Sequence, residues 1–129
     1  MQLKTNTVHG IQILRHLYKQ QGEDRVINIA KAVGITSPLA TRIMARLRPG
    51  GYVTAAPGQR GYCTLGRPAA EISFYDVVVA LEGESCTCHC MESNRECERR
   101  RQCKTYKFLQ TLQSNMIKAM QGTSIADLV

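Results

Sequence analysis

Residues 27–53 read INIAKAVGITSPLATRIMARLRPGGYV, a pattern that predicts two short helices joined by a tight turn. Asn28 can cap a short helix, and Gly34 suits the tight turn that ends it. A second helix starts at once, with Thr36 or Ser37 as its cap and a proline in its first turn, where a missing N–H is tolerated. Because two helices joined by a short glycine turn form a helix-turn-helix, the stretch predicts this unit.

The second helix of the pair has an apolar back and a basic front. Leu39, Ile43 and Leu47 are spaced four residues apart, so they share one face. The opposite face carries no carboxylate, which favours contact with phosphates and base edges. We therefore predict that this helix enters the major groove of DNA. Its predicted contacts are Ser37, Thr41, Arg42 and Arg46.

Two β-prone runs follow, at residues 52–55 and 62–65, on either side of a turn-rich tip at residues 57–61. A hairpin directly after a helix-turn-helix is typical of a wing, although a plain surface hairpin is the alternative. Arg60 at the tip suits a minor groove or a phosphate, so we predict that it contacts DNA.

Helical patterns lie on both sides of this unit. Before it, residues 8–18 place Val8, Ile11, Leu14, Leu17 and Tyr18 at helical spacing. After it, the Ser-Phe-Tyr-Asp sequence at 73–76 predicts a capping box and a helix that ends near Gly83. A longer helix at residues 105–120 has an apolar stripe that a small core cannot cover, so we predict that it packs against a second copy. The stripe consists of Phe108, Leu109, Leu112, Met116 and Met120.

The positive charge of the chain is unevenly distributed. Residues 1–67 contain ten Lys or Arg and two acids, a balance of +8, whereas residues 68–129 contain seven and eight, a balance of −1. A basic first half is expected if that half meets a polyanion such as double-stranded DNA.

Several classes of protein are not expected. No apolar run reaches the ~18–20 residues that span a bilayer, and the opening MQLKTNTVHG has no apolar signal region, so we predict a cytoplasmic protein with no membrane partner. No Gly-rich phosphate loop, nucleophile elbow or HExxH motif occurs in the sequence, so we do not expect an enzyme.

Five of the six cysteines fall within 18 residues, in the stretch CTCHCMESNRECERRRQC at 86–103. In a cytoplasmic protein, clustered thiols more often bind metal or sense redox state than form structural disulfides. Three kinds of site fit the residues: an iron–sulfur cluster, a zinc site built on the CxCHC run, or a metal-free thiol–disulfide sensor. Zinc is disfavoured because the paired CxxC knuckles of zinc modules are missing.

Several blocks of the sequence together resemble the IscR/NsrR family of bacterial winged-helix transcription regulators. They are MQLKTNTVHGIQILRHL, the stretch at 27–53, GQRGYCTLGRPAAEIS with YDVVVALEG, and CKTYKFLQTLQ with TSIADLV. The resemblance implies a homodimeric DNA-binding repressor or activator that reads a pseudo-palindromic operator, and we take repressor as the expected role. It also implies an iron–sulfur cluster, usually with two irons (2Fe-2S), on three cysteines between the last two long helices.

The resemblance assigns the cluster ligands. Cys103 matches the third family cysteine and Cys97 the second, while Cys90 matches the first with six intervening residues instead of five. The fourth-ligand positions of the family hold Tyr106 and Val8 in this chain, which leaves that ligand open. Possible additional ligands are Cys86, Cys88, His89 and His9.

The predicted fold class is thus mainly α, a winged helix-turn-helix domain with a small β-hairpin wing and a long C-terminal dimerisation helix. We divide the chain into a DNA-binding domain at 1–83, a cysteine-rich cluster-binding loop at 84–104, and a dimerisation helix and tail at 105–129. The predicted function is a transcriptional regulator whose operator binding responds to the cluster. The alternatives are a thiol-redox or zinc-dependent regulator of the same fold, or a protein-interaction module that uses the last helix.

Overall fold

The computed structural model describes residues 3–55, 61–83 and 102–129. Within these parts, five α-helices surround one small antiparallel sheet with the strand order β1-β3-β2, which confirms the predicted fold class. The helices are α1 (Thr5–Lys19), α2 (Val26–Val33), α3 (Ser37–Leu47), α4 (Phe74–Glu82) and α5 (Lys104–Gln121). The strands are β1 (Glu23–Arg25), β2 (Val53–Ala55) and β3 (Tyr62–Leu65).

Helices α2 and α3 form the predicted helix-turn-helix. Gly34 ends α2 with a left-handed φ of 82°, a conformation that glycine adopts without steric strain. The Thr36 hydroxyl accepts a hydrogen bond from the Leu39 N–H at 3.3 Å, so Thr36 caps α3. The buried side of α3 consists of Ala40, Ile43, Met44 and Leu47.

The prediction that Asn28 caps α2 is wrong. The helix begins at Val26, with Arg25 at the cap position and without a side-chain cap. The Val26 N–H donates instead to the Gly61 carbonyl at 2.7 Å, which satisfies one of the free N–H groups of the first turn. The Asn28 amide donates to the Asp24 carboxylate at 3.0 Å.

The wing contains one strand more than the sequence predicted. The segment after α1, where the sequence predicted no strand, forms β1 and pairs with β3 in the register Asp24↔Cys63 and Arg25↔Tyr62. Strands β2 and β3 are the two predicted arms of the hairpin. The tip of the hairpin, with Arg60, lies outside the described residues.

One core joins α1, α3, α4 and the end of the chain. Its fully buried side chains include Leu14, Leu47 and Ile72, together with Ile125 from the tail after α5. The tail is held in place because the Ile125 N–H donates to the Ile72 carbonyl at 2.9 Å. Residues beyond α5 therefore complete the core that contains the helix-turn-helix. The division at 83 and 104 remains a prediction.

Helix α5 differs from the other helices because none of its residues is buried. It packs on α4, and the side chains of Phe108 and Leu112 are 62% and 38% exposed. Within the parts of the chain that the structure describes, no helix combines the length and the apolar character needed to cross a membrane.

Candidate nucleic-acid interface and cysteine site

The outer face of α3 presents the side chains predicted to read DNA. Thr41, Arg42 and Arg46 are exposed, and Ser37 is half-buried at the first turn. The large apolar residues of α3 face the core, and its exposed side carries Thr41, Arg42 and Arg46 beside the small apolar residues Pro38 and Ala45. The structure therefore brings four of the five predicted contacts onto one helix, while Arg60 lies beyond the described residues. Their contact with DNA remains a prediction.

Arg46 makes a contact that the sequence did not reveal. Its Nη1 donates a hydrogen bond to the Leu81 carbonyl oxygen at 3.0 Å, across 35 positions of sequence. The last carbonyls of a helix lack partners within the helix, and a cation is favourable there. Arg46 thus connects α3 with the last turn of α4.

The same turn of α4 is also fixed to α1. The Thr7 hydroxyl donates to a Glu82 carboxylate oxygen at 2.6 Å. Gly10 allows the Leu81 side chain to approach closely, because a Cβ at position 10 would lie 2.5 Å from Leu81 Cδ1. The residues immediately before the cysteine-rich segment, which is the loop at 84–104, are consequently held by both α1 and α3.

Asp24 joins α1, β1 and α2 through one carboxylate. Oδ2 lies 2.6 Å from His16 Nε2, and Oδ1 accepts hydrogen bonds from the Arg25 N–H at 2.7 Å and from the Asn28 amide at 3.0 Å. Burial opposes ionisation of this carboxyl, but the hydrogen bonds from Asn28, His16 and the Arg25 backbone outweigh it, so the pKa of Asp24 lies below its usual range. This network fixes the edge of the wing against the helix-turn-helix.

Of the three cysteines predicted as ligands, Cys103 is the one within the described residues. It is half-buried at the N-cap of α5, and its Sγ accepts a hydrogen bond from the Tyr106 N–H at 3.4 Å. Its thiol is free. The N-terminus of a helix favours negative charge, which suits a thiolate that binds metal.

Of the other predicted ligands, only His9 lies within the described residues. Cys86, Cys88, His89, Cys90 and Cys97 all lie in the undescribed stretch at 84–101. His9 lies on α1, where its Nδ1 is buried and has no hydrogen-bond partner among the described residues. Residues 3–55, 61–83 and 102–129 contain no group of three or more His, Cys, Asp or Glu side chains able to hold a metal ion.

The sixth cysteine is part of the core. Cys63 is buried in β3, and burial raises the pKa of its thiol although the positive charge of Arg48 acts in the opposite direction. A buried thiol of this kind is unreactive, so Cys63 serves as a small residue of the strand.

Comparison with known proteins identifies the type of protein. The family described as "Rrf2: Iron-dependent Transcriptional regulator" matches residues 3–129. Two relatives are each 29% identical to the chain, protein aau3 of Rhizobium meliloti and protein rrf2 of Nitratidesulfovibrio vulgaris. Both alignments include the whole of this chain, together with 85% of aau3 and 87% of rrf2.

Solved structures show the same fold. The oxidized form of CymR from Staphylococcus aureus has a TM-score of 0.75 and 25% identity, with 99% of this chain and 95% of CymR covered. IscR of T. potens has a TM-score of 0.75 and 19% identity, with coverage of 99% and 85%. The resemblance to IscR-type regulators is confirmed, and so is the prediction of a DNA-binding regulator instead of an enzyme. The chain belongs to the Rrf2 family of transcriptional regulators.

Proposed function

We propose that this protein is a homodimeric repressor whose affinity for its operator responds to an iron–sulfur cluster held by the cysteine-rich segment. The observation that carries the proposal is the hydrogen bond from Arg46 to the Leu81 carbonyl. It joins the recognition helix to the turn of α4 that leads directly into that segment.

For operator binding, we assign the base contacts to the outer face of α3 and one contact to the wing. The concentration of positive charge in residues 1–67 supports this assignment, because phosphates attract the same half of the chain that contains the helix-turn-helix. The assigned residues are Ser37, Thr41, Arg42, Arg46 and Arg60.

For assembly, we assign the dimer contact to α5. This helix of 18 residues buries no side chain within the described chain, and its apolar side chains need a partner surface. Two copies that pair through α5 would place two recognition helices about a two-fold axis, which suits a pseudo-palindromic operator.

For the sensor, we assign Cys90, Cys97 and Cys103 as cluster ligands, with Cys86, Cys88, His89 and His9 as candidates for the fourth. The described part of this donor set fits such a group, because the Cys103 thiol is free and is held at a helix N-terminus. When bound, an iron–sulfur cluster, here of the 2Fe-2S type, supplies an iron-containing group that can change its oxidation state.

The chain's own residues convert the state of the segment into DNA affinity. The segment joins Gly83, which ends α4, to Cys103, which begins α5, so a change in it acts on both helix ends. A movement of the Leu81 carbonyl displaces the Arg46 guanidinium and with it the outer face of α3. A difference of ~1–3 kcal/mol between the two states would change operator affinity ~5–150-fold.

A metal-free thiol sensor is the second candidate. Five cysteines in one short segment could exchange disulfides, and the CymR of Staphylococcus aureus has been crystallised in an oxidized form. A zinc-dependent regulator of the same fold is the remaining alternative for this segment.

Anaerobic purification separates these candidates. We expect coloured protein with about two irons and two sulfides per chain and with charge-transfer absorption that Cys97→Ser and Cys103→Ser abolish. Serine substitutions at 86, 88 and 90 then identify the remaining ligands, with Cys63→Ser as the control that leaves the absorption unchanged. Colourless, iron-free protein would exclude the cluster, and zinc or oxidised disulfides in the same sample would favour the alternatives.

A further inference from the structure

We propose that Arg25 is an additional DNA contact, which binds a backbone phosphate between the helix-turn-helix and the wing. The assigned contacts above lie on α3 and at the tip of the hairpin, whereas Arg25 lies between these two elements. The inference depends on DNA binding alone and does not require a cluster.

Arg25 occupies the junction of the two DNA-binding elements. It is the last residue of β1 and the cap residue of α2, and it pairs with Tyr62, the first residue of β3 after the tip of the hairpin. The Val26 N–H donates to the Gly61 carbonyl at 2.7 Å, so the first turn of α2 is tied to the base of the tip. A DNA strand that passes from the recognition helix to the wing would pass this junction.

The Arg25 side chain is held by a ring and not by an acid. Its guanidinium carbon lies 5.3 Å from the centroid of the Tyr62 ring, within the range of a cation–π contact. Stacking of this kind restricts the long side chain while its N–H groups remain available at the edge of the guanidinium plane. Arg25 is itself exposed, so these donors face solvent.

The charge of Arg25 is not neutralised within the described chain. The adjacent Asp24 carboxylate binds His16, Asn28 and the Arg25 backbone N–H, and not the guanidinium. Glu23 lies on the same face of β1 as Arg25, but the two form no ion pair. Among the described residues, the ion pair is the one between His16 and Asp24. An exposed, oriented and unneutralised guanidinium at the edge of a DNA-binding surface is suited to a phosphate, which accepts two N–H bonds from it.

The salt dependence of binding tests this inference on random-sequence duplex DNA, because a phosphate contact does not depend on sequence. Each phosphate contact contributes about 0.9 to the slope of log K against log salt. We expect Arg25→Gln to lower the slope by about 0.9 per bound subunit and to weaken binding at least about threefold at low salt. Arg25→Lys should retain the slope, and Tyr62→Leu should weaken binding while the slope is kept.

Arg67→Gln is the matched control. Arg67 is also exposed and also stacks on a tyrosine, with its guanidinium carbon 5.3 Å from the Tyr52 ring centroid, but it follows β3 at the end of the hairpin away from the tip. Thermal melts of every variant report folding. Equal slopes and affinities for Arg25→Gln and Arg67→Gln would overturn the inference, and so would a loss by Arg25→Gln that is confined to one DNA sequence.

Discussion

Arg42 and Arg46 lie one turn apart on α3, but the structure gives them different surroundings. Both are exposed, and Arg46 donates a hydrogen bond to the Leu81 carbonyl of α4. We expect Arg42→Ala to lower operator affinity by ~1–3 kcal/mol in the cluster-loaded and the apo protein alike, without a change in stability. The readout is the dissociation constant on a selected operator together with the melting temperature.

Arg46→Ala is expected to behave differently. Loss of a hydrogen bond from a charged donor should lower stability by about 1 kcal/mol, below the usual ~1.5–3 kcal/mol for charged groups because Arg46 is exposed. The ratio of operator affinities between loaded and apo protein should also fall toward one, since the connection to Leu81 is gone. Identical effects of Arg42→Ala and Arg46→Ala on that ratio would contradict the proposed role of Arg46.

The ionisation of Asp24 makes the stability of the protein depend on pH. Its pKa is lower in the folded protein than in the unfolded chain, so its contribution to folding is complete above the unfolded value of about 3.9 and is lost as pH falls through the folded value. We expect Asp24→Asn to destabilise the protein at pH 7, and the difference from wild type to shrink below about pH 4. Urea unfolding at a series of pH values measures this difference.

A second variant distinguishes the network from general acid unfolding. Asn28→Ala removes one of the hydrogen bonds that lower the pKa of Asp24, so the acid-induced loss of stability should begin at a higher pH than in wild type. A constant difference between wild type and Asp24→Asn from pH 7 to pH 3 would show that ionisation of Asp24 does not contribute.

Helix α4 connects the proposed DNA-binding and sensing parts of the chain. Its start is fixed by the capping box of Ser73 and Asp76, and its end is fixed by contacts with α1 and α3. A helix held at both ends transmits a displacement instead of absorbing it. The cysteine-rich segment follows the end of α4 that contacts α3, and for this reason we propose that a change in the segment acts on DNA binding through α3.

The elements also differ in how far the sequence determines them. The helix-turn-helix and α4 were predicted because a glycine C-cap, a threonine N-cap and a capping box are local signals. Strand β1 was missed because three residues are too few for an alternating pattern, and its pairing with β3 joins positions about 40 residues apart. The cap of α2 was misassigned for the same reason, since the partner of its first N–H is Gly61 in the wing.

The buried face of α1 differs from the predicted one because the helix packs against several neighbours. Val8 and Tyr18 were predicted on its apolar side, yet they are 44% and 43% exposed, whereas Thr7 and Gly10 are buried. The helix contacts α2, α3 and α4, so its buried surface is not a single stripe of apolar residues. The hydrogen bond from Arg46 to the Leu81 carbonyl is likewise a tertiary contact without a local signal in the sequence.

The described part of the molecule has one buried core, to which α5 contributes no buried residue. The tail returns to the core through Ile125, while Phe108 and Leu112 of α5 remain exposed in the described chain. A helix of 18 residues is about 27 Å long, enough for two copies to form a substantial interface when they cross or lie side by side.

Phe108→Glu should therefore produce a folded monomer. Phe108 is 62% exposed, so the substitution leaves the core intact, but it places a charge in the proposed dimer contact. We expect half the wild-type mass by sedimentation, little change in secondary structure, and loss of about half the salt slope on random-sequence DNA, because one head in place of two then contacts phosphates.

Ser114→Glu is the control for charge on the same helix. Ser114 is exposed on the side of α5 opposite the apolar stripe, so its substitution should leave a dimer with unchanged DNA binding. A Phe108→Glu protein that sediments as a dimer would place the dimer contact elsewhere than α5. The symmetric arrangement of the two recognition helices would then need a different surface, while the fold of the head and the contacts of Arg25, Arg42 and Arg46 would be unaffected.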